Sequence, residues 1–138
     1  MANQDKIRYW MNEAQKELNC FKDDSVLKYM TAFDYAGALY YKELENMAGV
    51  VAYTIMPDFC GNKSVQELFM YIKPEHRGSP RNLLKLVKIM EDAAIENGCD
   101  CVIVASNIGY RDDKVLSLLE RRGYIRDSVR KYINEGRQ

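Results

Sequence analysis

The chain carries no excess of either charge: 20 lysines and arginines balance 20 aspartates and glutamates over 138 residues. A neutral total provides no global field to draw in nucleic acid, a membrane surface or an acidic substrate, which leaves only a local basic patch. No run of about 18 apolar residues is present, which excludes a membrane-spanning helix. The opening Met1-Ala2-Asn3-Gln4-Asp5 lacks the basic flank and apolar stretch of a signal peptide, so the expectation is a cytoplasmic protein. Histidine occurs once, His76, and the four cysteines, Cys20, Cys60, Cys99 and Cys101, form no CxxC pair. A zinc site would need all four thiols, or three with His76, to converge. The reading is therefore no metal site, with the cysteines as small core residues in a reducing compartment. The three prolines stand at 57, 74 and 80, all at element boundaries. No repeat, low-complexity tract or linker divides the chain. One domain over 1–138 is expected, with a helical part over 1–37 and a sheet-bearing core over 38–133.

Hydrophobic periodicity gives the elements. Ile7, Trp10, Met11, Ala14 and Leu18 recur at helical spacing over 4–19. Ser25 reads as the cap of a shorter helix carrying Val26, Leu27 and Met30. The segments 38–41 and 50–55 are rich in β-branched and aromatic residues. With turn chemistry at 45–49, they predict a β-hairpin that stops at Pro57. A polar turn leads to a third strand over 65–73. Leu68, Met70 and Ile72 are expected on one face and Phe69 and Tyr71 on the other, as in a central strand buried on both sides. Ser79-Pro80 predicts a helix start, followed by Leu83, Leu86, Val87, Met90 and Ala94 and stopped at Asn97-Gly98. A buried strand over 101–105, a helix over 112–122 ending at Gly123, and a short strand over 128–133 complete the chain. The order implies an α/β (α+β) domain with a mixed central sheet of five or six strands, helices on both faces, and a right-handed parallel crossover over 65–105. Leu68, Met70, Val87, Met90, Val102, Val104 and Leu118 are the expected core.

The segment 72–79, Ile-Lys-Pro-Glu-His-Arg-Gly-Ser, joins a buried strand to a helix start. Backbone amides there have no intrahelical partners and sit at the positive end of the helix dipole, which suits a phosphate. Gly78 permits close approach, and Arg77 and Arg81 add positive charge. His76 reads as a loop surface residue rather than a base. Arg121, Arg122, Arg126 and Arg130, interleaved with Glu120 and Asp127, read as a solvated face. A nucleic-acid adaptor working through those arginines is a third and weaker class of function.

The run Tyr71-Ile72-Lys73-Pro74-Glu75-His76-Arg77-Gly78 resembles the strand-to-loop signature of the GNAT (Gcn5-related N-acetyltransferase) family. The stretch from Leu118 to Tyr124 is similar to that family's closing helix with its Gly-Tyr end. The resemblance spans about 38–133 and implies a GNAT-like fold, acetyl-CoA as acyl donor and an amine acceptor, either small molecule or protein. It implies a pyrophosphate on Arg77, Gly78, Ser79, Arg81 and Asn82. The pantetheine arm would run along Met70, Tyr71 and Ile72, with Asn107 near the cofactor. Glu67, Tyr110 and Tyr124 are the candidate acid–base residues, and Tyr71 could substitute. The sequence departs from the family pattern in five places, one of them near Asp112, where an asparagine before the last helix is usual. Pro80 and Asn82 stand where small loop residues are usual, Gln66 where a glutamate base is usual, and Leu119 where a tyrosine acid is usual. The alternative is a catalytically impaired relative acting as a binding or structural component, similar in size and pattern to small stand-alone bacteriophage proteins. A homo-oligomer is compatible with either reading, and no membrane partner is implied.

Overall fold

The computed structural model describes residues 2–18, 25–104, 113–126, 131 and 133. Helix α1 spans Ala2–Leu18 and α2 spans Ser25–Tyr35. Strand β1 (Tyr40–Glu43) turns through a short 3-10 segment, Glu45–Met47, into β2 (Gly49–Pro57). Strand β3 (Lys63–Ile72) leads through a second 3-10 turn, Pro74–His76, into α3 (Arg81–Glu96). Strand β4 (Cys101–Ile103) and helix α4 (Asp113–Arg121) follow. The strand order in the sheet is β1-β2-β3-β4. The first two pairings are antiparallel and β3–β4 is parallel.

Helices cover both faces. Helix α1 places Ile7, Trp10, Met11 and Ala14 against Val50, Ala52, Phe69 and Tyr71, with Met30 of α2 beside them. On the opposite face Leu83, Leu86, Val87, Met90 and Ala94 of α3, with Leu119 of α4, pack against Val51, Val65, Met70 and Ile72. Both helical stripes follow the 3.6-residue period of the sequence, and burying them removes the apolar surface that drives the packing. Gly98 and Gly123 adopt φ values of +65° and +101° after α3 and α4, a conformation that favours glycine.

The expectations for β3, for the core and for the cysteines are corrected. Strand β3 is not a simple alternation: Ala52 pairs with Phe69 and Tyr53 with Glu67, so Leu68 is an extra residue in a β-bulge. The bulge turns Leu68 to the α1–α2 side, half-buried, while Met70 and Ile72 remain on the α3 side. The sheet has four strands among the described residues, and the segment expected as a last strand over 128–133 lies almost wholly outside them. Of the expected core, Met70, Val87 and Met90 are buried, whereas Val102, Val104 and Leu118 are half-buried at the rim. The cysteines also depart from a uniform core assignment: Cys60 is exposed in the 58–62 turn, and Cys99 and Cys101 are half-buried. Cys20 lies outside the described residues.

Candidate functional site

The sheet opens on one side of β3. Among the described residues, strands β3 and β4 pair at Ser64–Cys101, Val65–Val102 and Gln66–Ile103. From Glu67 to Ile72, β3 remains paired with β2 apart from the bulged Leu68, while its described pairing with β4 ends at Gln66. A strand edge beyond the end of a parallel pairing is a place where an extended ligand can hydrogen-bond to backbone. Met70, Tyr71 and Ile72 lie along this open edge. Their side chains are buried, Met70 and Ile72 under α3 and Tyr71 under α1, so the edge presents backbone rather than side chain.

The open edge runs into the start of α3. Pro80 occupies the cap position with helical φ and ψ, and the first amide to bond back is that of Leu84, to the Pro80 carbonyl at 3.0 Å. The amides before it have no intrahelical acceptor. Ser79 Oγ accepts from the Arg81 amide two residues on at 3.3 Å, the bond expected of a cap that is followed by a proline. Gly78 and Ser79 are exposed, and a Cβ added at Gly78 would meet nothing within 4 Å, so ligand atoms can reach the backbone there. Beside this turn lies a shallow groove of about 430 Å³ walled by Ser79, Pro80 and four cations, Arg81, Lys85, Lys88 and Arg122. Lys88 is paired with Asp92 and Arg122 with Glu91, while Arg81 and Lys85 have no ion-pair partner among the described residues. Arg81, Lys85 and Lys88 stand at i, i+4 and i+7. That spacing was visible in the sequence as a basic stripe, but Arg122 reaches the groove only through the tertiary fold.

Arg77 is turned the other way. Its Nη1 and Nη2 donate to both carboxylate oxygens of Glu17 at 2.5 and 2.6 Å, and its Nε donates to the Ile72 carbonyl at 2.8 Å. The Tyr71 hydroxyl donates to the same carboxylate at 2.8 Å, and the guanidinium carbon stands 5.4 Å from the Tyr71 ring centre. Hydrogen bonding from Arg77 holds the Glu17 carboxyl below the ordinary glutamate range. Burial, reinforced by Glu17, pushes the Tyr71 phenol well above its ordinary range, so it is a poor proton donor. Nothing in the local sequence pointed to Glu17, which is 60 residues from Arg77.

The remaining candidates occupy distinct places. Glu67 is the first residue of β3 beyond its last pair with β4, and it is only 4% exposed. It continues a cross-strand row with Tyr53 and Tyr40, whose rings stack 5.5 Å apart. Gln66 donates to Ser64 Oγ at 3.0 Å, which in turn donates to the Met56 carbonyl at 2.7 Å. Leu119 is buried at 6% exposure in the core beneath α3. Tyr124 sits at the far side of α3, its hydroxyl donating to Glu91 at 3.0 Å while Arg122 holds the same carboxylate. Burial, with Glu91 beside it, pushes the Tyr124 phenol far up. His76 is half-buried at the end of the 3-10 turn. Tyr110 and Asn107 lie outside the described residues.

No family sequence model matches the chain, and no curated protein matches it in sequence. Solved structures do match in fold. A putative acetyl transferase from Pyrococcus furiosus superposes with a TM-score of 0.67 at 15% identity over 93% of each chain. A predicted acetyltransferase from Clostridium acetobutylicum, solved with acetyl-CoA, gives 0.66 at 14% identity over 95% of this chain and 91% of that one. Glucosamine-6-phosphate N-acetyltransferase from Arabidopsis thaliana gives 0.62 at 16% identity over 97% and 95%. The chain has the GNAT acetyltransferase fold.

Proposed function

We propose that the protein transfers an acyl group from acetyl-CoA to an amine. The observation that carries this reading is the end of the described β3–β4 pairing at Gln66, on a strand that leads through an exposed Gly78-Ser79 turn into the start of α3. An edge six residues long suits an extended, amide-bearing arm, and the helix start with Arg81 and Lys85 beside it suits a pyrophosphate. The fold likeness to a structure solved with acetyl-CoA supports the same assignment.

In the proposed step the amine nitrogen attacks the thioester carbonyl. The new C–N bond forms, the C–S bond breaks, the amine gives up a proton, and the departing thiolate takes one. Holding the two reactants together supplies much of the acceleration in such a reaction. The buried Glu67 is the proposed acceptor of the amine proton, directly or through a water. Tyr124, held by Glu91, and the buried Leu119 do not serve as proton donors in this arrangement. Tyr110 remains the proposed acid. The amides of Gly78, Ser79, Arg81 and Asn82 are the proposed pyrophosphate ligands, with Asn107 near the cofactor.

Calorimetric titration with CoA, together with release of free thiol from acetyl-CoA in the presence of an amine panel, tests this reading. Saturable CoA binding with amine-dependent thiol release is the expected result. Two observations favour a second reading, a binding protein without turnover: Pro80 has no N–H to offer, and the tyrosine position is a buried leucine. CoA binding with no thiol release from any amine would select it, and no CoA binding would overturn both.

A further inference from the structure

We propose that Glu17 of α1 is a positioning residue for the anion-binding turn and acts on it through Arg77. The inference rests on the proposed anion role of 78–82, but it assigns Arg77 to the scaffold rather than to the ligand. Three contacts converge on one carboxylate: both terminal nitrogens of Arg77 and the hydroxyl of Tyr71. Tyr71 is 2% exposed and fixed against Trp10 of α1, with ring centres 6.4 Å apart. Arg77 also closes the turn on itself, its Nε reaching back to the Ile72 carbonyl at the end of β3. A second tie lies at the other end of the same connection, where Lys73 Nζ meets the Tyr9 hydroxyl at 2.8 Å.

Helix α1 therefore clamps both ends of the 73–77 connection, through Tyr9 at Lys73 and Glu17 at Arg77, which sets where residues 78–82 leave the sheet. A two-pronged guanidinium–carboxylate pair fixes orientation as well as distance, which a single point charge does not. The clamp also takes up the charge of Arg77. The turn then meets an anion with backbone amides, Arg81 and Lys85, while Arg77 faces α1. Anion affinity at the turn should depend on Glu17, although Glu17 never touches the anion.

The sign of one substitution separates this from the simpler view that Arg77 is a phosphate ligand. Glu17→Gln keeps the shape and an acceptor for Tyr71 but releases Arg77. If Arg77 were a ligand held back by Glu17, the variant would bind CoA more tightly. If Glu17 positions the turn, CoA binding weakens by roughly tenfold, the scale of one charge-assisted hydrogen bond. The KM for acetyl-CoA then rises with little change in kcat. Glu13→Gln removes a neighbouring charge on α1 whose side chain pairs with Lys16, and it should leave CoA binding unchanged. Amide hydrogen exchange over 74–82 gives a readout that needs no ligand. Glu17→Gln should speed exchange there by about tenfold relative to the β2–β3 core. The swap Glu17→Arg with Arg77→Glu should restore protection. Unchanged or tighter CoA binding by Glu17→Gln, or unchanged exchange over 74–82, overturns the proposal. Failure of the wild type to bind CoA overturns only the functional reading, and the exchange rates then decide the role of Glu17.

Discussion

Asn82 Nδ2 donates to the His76 carbonyl at 2.9 Å, tying the first turn of α3 back to the 3-10 turn that precedes it. A side chain bulkier than the family's usual small residue thus has structural work at this position. This hydrogen bond across the turn compensates for Pro80, which caps α3 without an N–H and without a side-chain hydrogen bond. The turn is stable on its own terms, at the expense of one donor that a phosphate could use.

Replacing Pro80 and Asn82 together by glycine reverses that balance. Each glycine costs up to about 1 kcal/mol in a helical turn, and the lost Asn82 bond costs about 1 kcal/mol more. The double variant should be roughly 2–3 kcal/mol less stable by urea unfolding. It should nevertheless bind CoA more tightly by about tenfold, because a restored donor to a charged group outweighs the looser backbone. Equal or weaker CoA binding in calorimetry would remove the turn from the pyrophosphate site.

Glu67→Gln tests the proposed base. The substitution preserves volume at a nearly buried position while removing proton-accepting capacity. Turnover should fall by about 10²–10⁴, the usual scale for a lost general base, with CoA affinity unchanged. Retained turnover, measured as thiol release at saturating amine, would assign Glu67 to the structure of the opening instead.

Leu119→Ala tests whether the tyrosine position of the family pattern has become core. Leu119 packs beneath α3 with 6% exposure, so truncation leaves a cavity. The expected loss is about 2–5 kcal/mol of stability with any acetyl transfer per folded molecule retained. A loss below about 1 kcal/mol would mean that α4 is not anchored there.

Acid should weaken the fold through two carboxylates. Arg77 lowers the folded pKa of Glu17, and Arg122 lowers that of Glu91. A depressed folded pKa contributes stability that is fully present above the unfolded value, about 4.3 for glutamate, and is lost as pH falls through the folded value. Urea unfolding should therefore show stability level above about pH 5 and falling below about pH 4. The Glu17→Gln, Glu91→Gln double variant should show a flatter decline over the same range. An unchanged decline would place the acid sensitivity in other carboxylates.

The sequence by itself determined the order of elements and the two helical stripes. Their cause is local: a 3.6-residue apolar period, glycines after helix ends, and turn residues between strands. It also located the strand-to-helix turn at 72–82, because a buried strand meeting Gly-Ser-Pro has few other backbone outcomes. Tertiary structure decided the rest. The bulge at Leu68 shifts side chains between faces, and it depends on pairing with β2, which no alternation within β3 reveals. Where β4 leaves β3 is likewise a property of two strands separated by a helix. The direction of Arg77 was undetermined locally, since a guanidinium beside a helix start can meet a ligand or a carboxylate with equal chemistry. Its partner, 60 residues away on α1, becomes a neighbour only when the stripe of Trp10, Met11 and Ala14 is buried against β3 and brings Glu17 over Tyr71.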